Sequence, residues 1–318
     1  MDSLVYSLNV VTPIFLLVIV GYALRRMKIM SPEFAEEGAK ITFKLALPFS
    51  LFRSICNTDI SQTFRPRLVI TTLAGIIGMF LLLCLIVPRL VKSRPQAATI
   101  VQGIFRTNFL ILGVPMARNM FGEEGLGPTT LLLAFAIPSF NVLAIIAFTL
   151  LTGDHTGEVL GARVRKTLLE VLKNPLFCAA VLGMVFSLLH IRLPSVLDKA
   201  VADIGSMATP LALLTMGAQF DVKRFRSDIK VSMLTSLCRV VVCPCVIIGA
   251  GILLGFRGSE LGALFVLFSA PTAVSSYVMS KNMGGDGDLA SQIILVSTFL
   301  SMFTITAGIY LLKLFALI

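Results

Sequence analysis

The sequence predicts an all-α membrane protein, with ten transmembrane helices arranged as two inverted five-helix repeats over residues 1–155 and 156–318. Three observations predict it. Hydrophobic residues make up 56% of the chain and charged residues 14%, with mean hydropathy +0.92, whereas a soluble domain sits near half apolar and a quarter charged. Apolar runs of spanning length recur along the whole sequence. The chain also repeats itself: MARNMFG (116–122) returns as MSKNMGG (279–285), so that Met116, Asn119, Met120 and Gly122 fall on Met279, Asn282, Met283 and Gly285 at an offset of 163.

Taken in order, the first run (5–24) has no basic residue before it, and Arg25, Arg26 and Lys28 follow it. It lacks a small-residue cleavage site and reads as a retained span, not a signal peptide. Run 39–55 carries Lys44 one turn before Pro48, and run 68–88 closes on Arg89, Lys92 and Arg94. Run 97–119 holds Arg106, Thr107 and Asn108, and 129–151 completes the first repeat. RVRKTLLEVLK (163–173) predicts a short basic amphipathic helix on the inner surface, joining the repeats. Runs 175–190 and 197–219 open the second repeat. Run 231–254 contains Arg239, Cys243-Pro244-Cys245 and a Gly251/Gly255 pair suited to close helix contact. Run 259–281 contains Pro271, Ser275 and Ser276, and 291–313 ends the series.

The repeat extends beyond the opening motif. At an offset of 162, Pro13, Phe15, Gly21 and Pro32 fall on Pro175, Phe177, Gly183 and Pro194, and Ala46, Pro48 and Leu51 on Ala208, Pro210 and Leu213. Prolines and glycines inside helices are costly and position-specific, so their register carries weight that leucine matches do not. Each copy has an odd number of spans, so the second must enter the membrane from the opposite side. Inverted repeats of this kind mark secondary transporters, whose substrate sites lie near the midplane where helices are interrupted.

The formal charge of +10 has a source other than nucleic-acid binding. Cationic residues crowd into alternate loops, fifteen on one side against eight on the other. Since basic loops stay inside, this places both termini outside, in a multi-pass protein of the cell membrane whose surroundings are the lipid bilayer. The six cysteines lie mostly within spans and form neither a disulfide frame nor a zinc spacing. Cys243-Pro244-Cys245 reads either as a soft-metal site or as small residues beside a helix kink. Nothing else calls for a cofactor, and no nucleophile–base pair or metal cluster points to an enzyme.

In the repeat register Asn108 falls on Pro271. Pro271 has no amide hydrogen, and its ring crowds the preceding turn, so it should free the carbonyl four residues back. Backbone unpaired at that depth survives only when buried in protein or facing a watery cavity. The second half of each interrupted helix then begins mid-membrane with free amide hydrogens and partial positive charge, a place for an anion. Ser275 and Ser276 would add hydroxyls there; the competing reading is a plain proline kink. Arg106 lies roughly 3 Å from the centre of its span, while the core extends about 15 Å to either side. Holding it there costs about 2.5–3.5 kcal/mol. None of the seventeen acidic residues sits opposite it, so its partner is either the substrate or the carbonyls of the broken helix. The same scarcity of acids argues against a cation antiporter. Lys44 either occupies the place of a coupling ion or pairs, like Lys40, with Glu36 or Glu37.

LALPFSLF (45–52), RTNFLILGVP (106–115), APTAVSSYVMSKNMGGD (270–286) and STFLSM (297–302) together resemble the auxin efflux carrier family, which includes plant PIN auxin exporters and bacterial carriers of malonate or malate. The resemblance runs over nearly the whole chain. It implies a fold like that of bile-acid symporters and sodium/proton antiporters, in which broken spans 4 and 9 cross. Spans 3–5 and 8–10 would form a mobile transport domain, spans 1, 2, 6 and 7 a scaffold, with elevator-type alternating access and a homodimer. By motif match, Asn108 and Pro271 stand at the crossing beside the anion. PIN proteins have a proline directly before the asparagine, where this chain has Thr107. Its proline comes later, at Pro115, which predicts a softer or displaced first break. The long inner loop of many plant members is missing too, which points from auxin toward a smaller carboxylate. The expectation is therefore a secondary transporter of a small organic anion such as malonate or malate, bound by Arg106, Thr107, Asn108, Pro271, Ser275, Ser276 and Lys44. Rival expectations are a sodium-coupled carrier of larger bile-acid-like anions, an auxin-like exporter, a channel and a sensor.

Overall fold

An apolar run in hydrocarbon has no water to satisfy its peptide groups, so it pairs them internally by coiling. The computed structural model describes residues 2–57, 64–152, 169, 172, 173, 175–219 and 229–318. Among them the ordered elements are helices, apart from one isolated backbone bridge. The first half contains α1 (Asp2–Arg26), α2 (Pro32–Ile41), α3 (Leu47–Cys56), α4 (Pro66–Leu90), α5 (Arg94–Phe105), α6 (Val114–Phe121) and α7 (Gly127–Thr152). The second contains α8 (Pro175–Leu188), α9 (Ser195–Ser206), α10 (Ala208–Ala218), α11 (Ile229–Leu237), α12 (Cys243–Leu253), α13 (Gly258–Ser269), α14 (Ser275–Asn282) and α15 (Gly287–Leu314). Residues 163–173, expected to form the linker helix, lie almost wholly outside the described residues.

Among the described residues six stretches are long and apolar enough to cross a membrane: Val5–Arg26, Pro66–Leu90, Gly127–Thr152, Ser195–Ala218, Ile229–Leu253 and Gly287–Leu314. Phe109–Phe121, Phe177–Leu188 and Gly258–Ser269 are shorter apolar helices. Outward faces are greasy: α4 exposes Ile70, Leu81, Leu82 and Leu85, and α8 exposes Val181, Leu182 and Val185. Water would not tolerate so continuous an apolar surface, and lipid does. The chain is a multi-pass membrane protein.

Three prolines are preceded by a widened turn. π-Helical segments Thr42–Ala46, Phe109–Gly113 and Cys238–Val242 stand just ahead of Pro48, Pro115 and Pro244. A proline ring collides with the carbonyl four residues back in a regular helix. One extra residue in the turn relieves the collision while the rod continues. The Gly251/Gly255 expectation is half corrected: a side chain at Gly251 would touch Leu261 and Leu264, but Gly255 lies beyond the end of α12 with φ 80° and no neighbour within 4 Å. It is a turn glycine.

Glycines permit close helix contacts at two places, and at the first no side chain would fit. A Cβ on Gly21 in α1 would lie 2.0 Å from the Leu214 carbonyl oxygen in α10. A Cβ on Gly183 in α8 would lie 3.0 Å from the Phe52 carbonyl oxygen in α3. Around them α1 packs along α10, and α3 between α8 and α9. Arg53 donates to both carboxylate oxygens of Asp198 at 3.1 Å, fastening α3 to α9. On the other flank of α1, the Tyr6 hydroxyl donates to the Met120 carbonyl at 2.7 Å, and the Asn119 amide to the Val10 carbonyl at 2.9 Å. Thus Asn119 and Met120 of the repeated motif dock α6 onto α1. The apolar core surrounds α5 and α13, where Phe105, Phe109 and Phe268 are fully buried and Phe80 meets Phe105 edge-on at 5.5 Å.

Candidate functional site

Both interruptions are present, and they meet. α5 ends at Phe105, Arg106 is extended (φ −88°, ψ 124°), and the helix resumes after Asn108. α13 ends at Ser269, Ala270 is extended (φ −57°, ψ 143°), and α14 begins at Ser275. Across the gap the Asn108 amide donates to the Pro271 carbonyl at 2.7 Å, and the Ala273 amide to the Arg106 carbonyl at 3.4 Å. Thr107 and Thr272 form an isolated antiparallel bridge. The expectation of a first break softened or displaced toward Pro115 is therefore corrected. The break lies at Arg106–Asn108, and Pro115 merely follows a π turn. Thr107 needs no neighbouring proline, because the facing strand supplies the hydrogen bonds that an extended segment requires.

Most of the loose carbonyls at the ends of α5 and α13 have donors. Pro271 was expected to free the carbonyl four residues back, that of Leu267. Arg239, wholly buried, reaches it from the π turn ahead of α12 at 3.5 Å through Nη2. The same guanidinium donates to the carbonyls of Phe268 (2.5 Å), Ala270 (3.0 Å) and, across the crossing, Ile104 (2.8 Å). Thr272 Oγ1 donates to the Gly103 carbonyl at 2.6 Å, and Ser297 Oγ accepts from the Thr272 amide at 3.2 Å. Each helix C-terminus carries roughly half a negative charge. One arginine from outside both helices neutralises the pair.

The amide ends differ. Neither helix Phe109–Phe121 nor α14 has a side-chain cap, although Asn108 and Val274 occupy the cap positions. Thr107 Oγ1 and Ser276 Oγ are buried and have no hydrogen-bond partner, while Ser275 is half-buried at the first position of α14. Arg106, 8% exposed, donates through Nη2 to Asn141 Oδ1 of α7 at 2.8 Å and through Nη1 to Met279 Sδ of α14 at 2.9 Å. Both partners are neutral, so among the described residues no carboxylate compensates its charge. The carbonyls considered as its alternative partner are bonded instead to Arg239. Among the described residues the ion pairs lie elsewhere: Lys40 binds Glu36 and Glu37, and Arg53, Arg65 and Arg118 bind Asp198, Glu260 and Glu123. The Asn108 side-chain nitrogen lies 3.8 Å from Met216 Sδ, facing α10.

The crossing thus gathers Arg106, Thr107, Asn108, Pro271, Ser275 and Ser276. Lys44 is apart from them, exposed on the first π turn. Asn141 was missed, though it carried a signal as the one carboxamide in the apolar helix GPTTLLLAFAIPSFNVLAIIAFTLLT. The sequence placed Arg239 within an apolar run and gave no hint of its partners.

The sequence model of a family described as membrane transport protein matches residues 6–309. The chain belongs to the auxin efflux carrier family. An uncharacterized transporter of Methanocaldococcus jannaschii is 25% identical over 307 residues, covering 94% of this chain and 96% of that one. A protein of Rhizobium meliloti named "Putative malonate transporter" is 24% identical over 313 residues, covering 96% and 95%. Auxin efflux carrier component 6 of Arabidopsis thaliana is 25% identical over 139 residues, covering 42% of this chain and 24% of that protein. This member of the auxin efflux carrier family is accordingly a membrane transporter, and it acts on a small-molecule substrate.

Proposed function

We propose that the protein is a secondary carrier of a small organic dianion, malonate or malate, moved by an elevator-type exchange of access. One observation carries this reading: two uncapped helix N-termini face a crossing that holds a charged, carboxylate-free Arg106 and the unpartnered hydroxyls of Thr107 and Ser276. Buried donors without acceptors are costly, and a bound carboxylate would satisfy them. Two positive helix ends suit an anion with a carboxylate at each end. The name of the Rhizobium relative points to the same class.

The inverted repeat is supported by paired contacts. Gly21 meets Leu214 and Gly183 meets Phe52; both the glycines and their partners are separated by 162 residues. The Asn108–Pro271 hydrogen bond joins two residues that the repeat itself equates. In the proposed cycle, spans 1, 2, 6 and 7 form a dimeric scaffold, and spans 3–5 with 8–10 slide along it carrying the crossing. Asn108 then faces the scaffold through Met216, and Lys44 lines the approach. Both termini lie outside the cell membrane.

Proteoliposomes provide the test. The wild type should accumulate labelled malonate, and Arg106→Ala should reduce uptake about 10- to 100-fold, the worth of a charge-assisted hydrogen bond. Full uptake by the variant would remove Arg106 from the site. A thermal-shift series of organic acids with no stabilisation by any dicarboxylate would remove the substrate class.

A further inference from the structure

We infer that Arg239 is a built-in counter-cation: it fills the place at the crossed helix ends where carriers of this architecture hold a coupling metal ion, so transport by this protein takes up no sodium. Unwound carbonyls and half-helix C-termini are the groups that coordinate sodium in inverted-repeat transporters. Here four of those groups are already bonded to one side chain. The guanidinium bonds to Ile104 from one half-helix and to Leu267, Phe268 and Ala270 from the other. It is 0% exposed, and its neighbour on the next turn, Cys243, is a buried free cysteine.

The charge balance fits a fixed cation. Two helix ends of roughly half a charge each add up to about one unit, which a single monovalent cation cancels. A covalently tethered guanidinium supplies that unit in every conformation and cannot dissociate. A mobile ion would instead come and go with the substrate. Arg239 is therefore a positioning residue: it touches no substrate, but it holds the two carbonyl ends together so that the opposite, amide-bearing ends stay aimed at the anion.

The inference rests on the carrier reading only in its transport half, so the experiment begins with stability, which needs no substrate. The purified wild type should melt at the same temperature in sodium, choline and N-methylglucamine chlorides of equal ionic strength; saturable stabilisation by sodium overturns the inference. Arg239→Ala should melt roughly 10 °C lower. Millimolar guanidinium chloride should restore at least half of that loss, while urea, a neutral molecule of the same shape, should restore none. Rescue by both, or by neither, shows a strut and not a cation. If Arg239→Ala is not recovered from membranes, Arg239→Lys and Arg239→Met decide. Recovery of lysine alone supports a charge requirement; recovery of methionine as well, or of neither, overturns it. In proteoliposomes, wild-type malonate uptake should be unchanged when choline replaces sodium, and dependence on sodium overturns the inference. Absence of malonate uptake under all conditions would instead sink the substrate assignment and leave the melting results standing.

Discussion

The two sides of the crossing are made of the same backbone and finished differently. On the carbonyl side, Arg239 and the Thr272 hydroxyl bond the loose ends. On the amide side, the helix starts lack caps, two hydroxyls have no acceptor, and Arg106 has only neutral partners. Both sides lie within the same buried shell, so solvent does not explain the difference. A chain able to complete one side could complete the other with a single acidic residue. Leaving it unfinished stores a demand for negative charge, which the anion proposed above would answer.

The sharpest way to break this contrast is to finish the open side from within. Asn141→Asp would put a carboxylate where Oδ1 now lies 2.8 Å from Arg106 Nη2. It should cut malonate uptake about 100-fold while holding or raising the melting temperature, because a buried ion pair replaces a lone charge. Retained uptake would mean that Arg106 is not the anion's partner. Next comes a control away from the site. Gly21→Ala drives a methyl group against the Leu214 carbonyl, so it should destabilise by about 3 kcal/mol, the upper end for overpacking. Gly183→Ala, with its longer approach, should cost about 1 kcal/mol; thermal melts that reverse the order would contradict the close contact of α1 with α10.

Smaller effects test the hydroxyls. Thr107→Val and Ser276→Ala should each raise the half-saturation concentration for malonate about 5-fold, the worth of one hydrogen bond. Neither should lower the melting temperature, since each removes a polar atom that has no partner in the empty site. A purely structural hydroxyl would show the reverse. The smallest change is expected at exposed Lys44. Lys44→Gln should alter uptake less than about 3-fold, and the difference should fade as salt rises, as for a charge on an access route.

Much of this was legible in the chain itself. Most segments chosen by apolar length alone end within a few residues of helix ends, because hydrocarbon leaves a peptide few other conformations; the run 39–55 instead began seven residues inside a helical stretch that starts at Pro32. The second break was legible because Pro271 cannot donate, and the repeat pointed to Asn108 opposite it, but the departure at Thr107 and Pro115 misled about where the first break lies. What the sequence withheld were the partners. Asn141 meets Arg106 from another span, and Arg239 reaches carbonyls 28 to 135 positions away. Such pairings are set by helix packing, which leaves no periodic trace. The π turns were hidden for another reason: Pro13, Pro88 and Pro138 lie inside helices assigned as uninterrupted α, so a proline alone does not announce a widened turn.

The hydrogen bond from Asn108 to Pro271 has a further consequence. It makes one knot of two severed rods, so neither half can tilt without dragging the other, and any cargo seated there rides on a single stiff carriage. Deuterium should then enter the Asn108 amide as slowly as it enters the middle of an intact helix, though by its torsion angles that residue belongs to a gap.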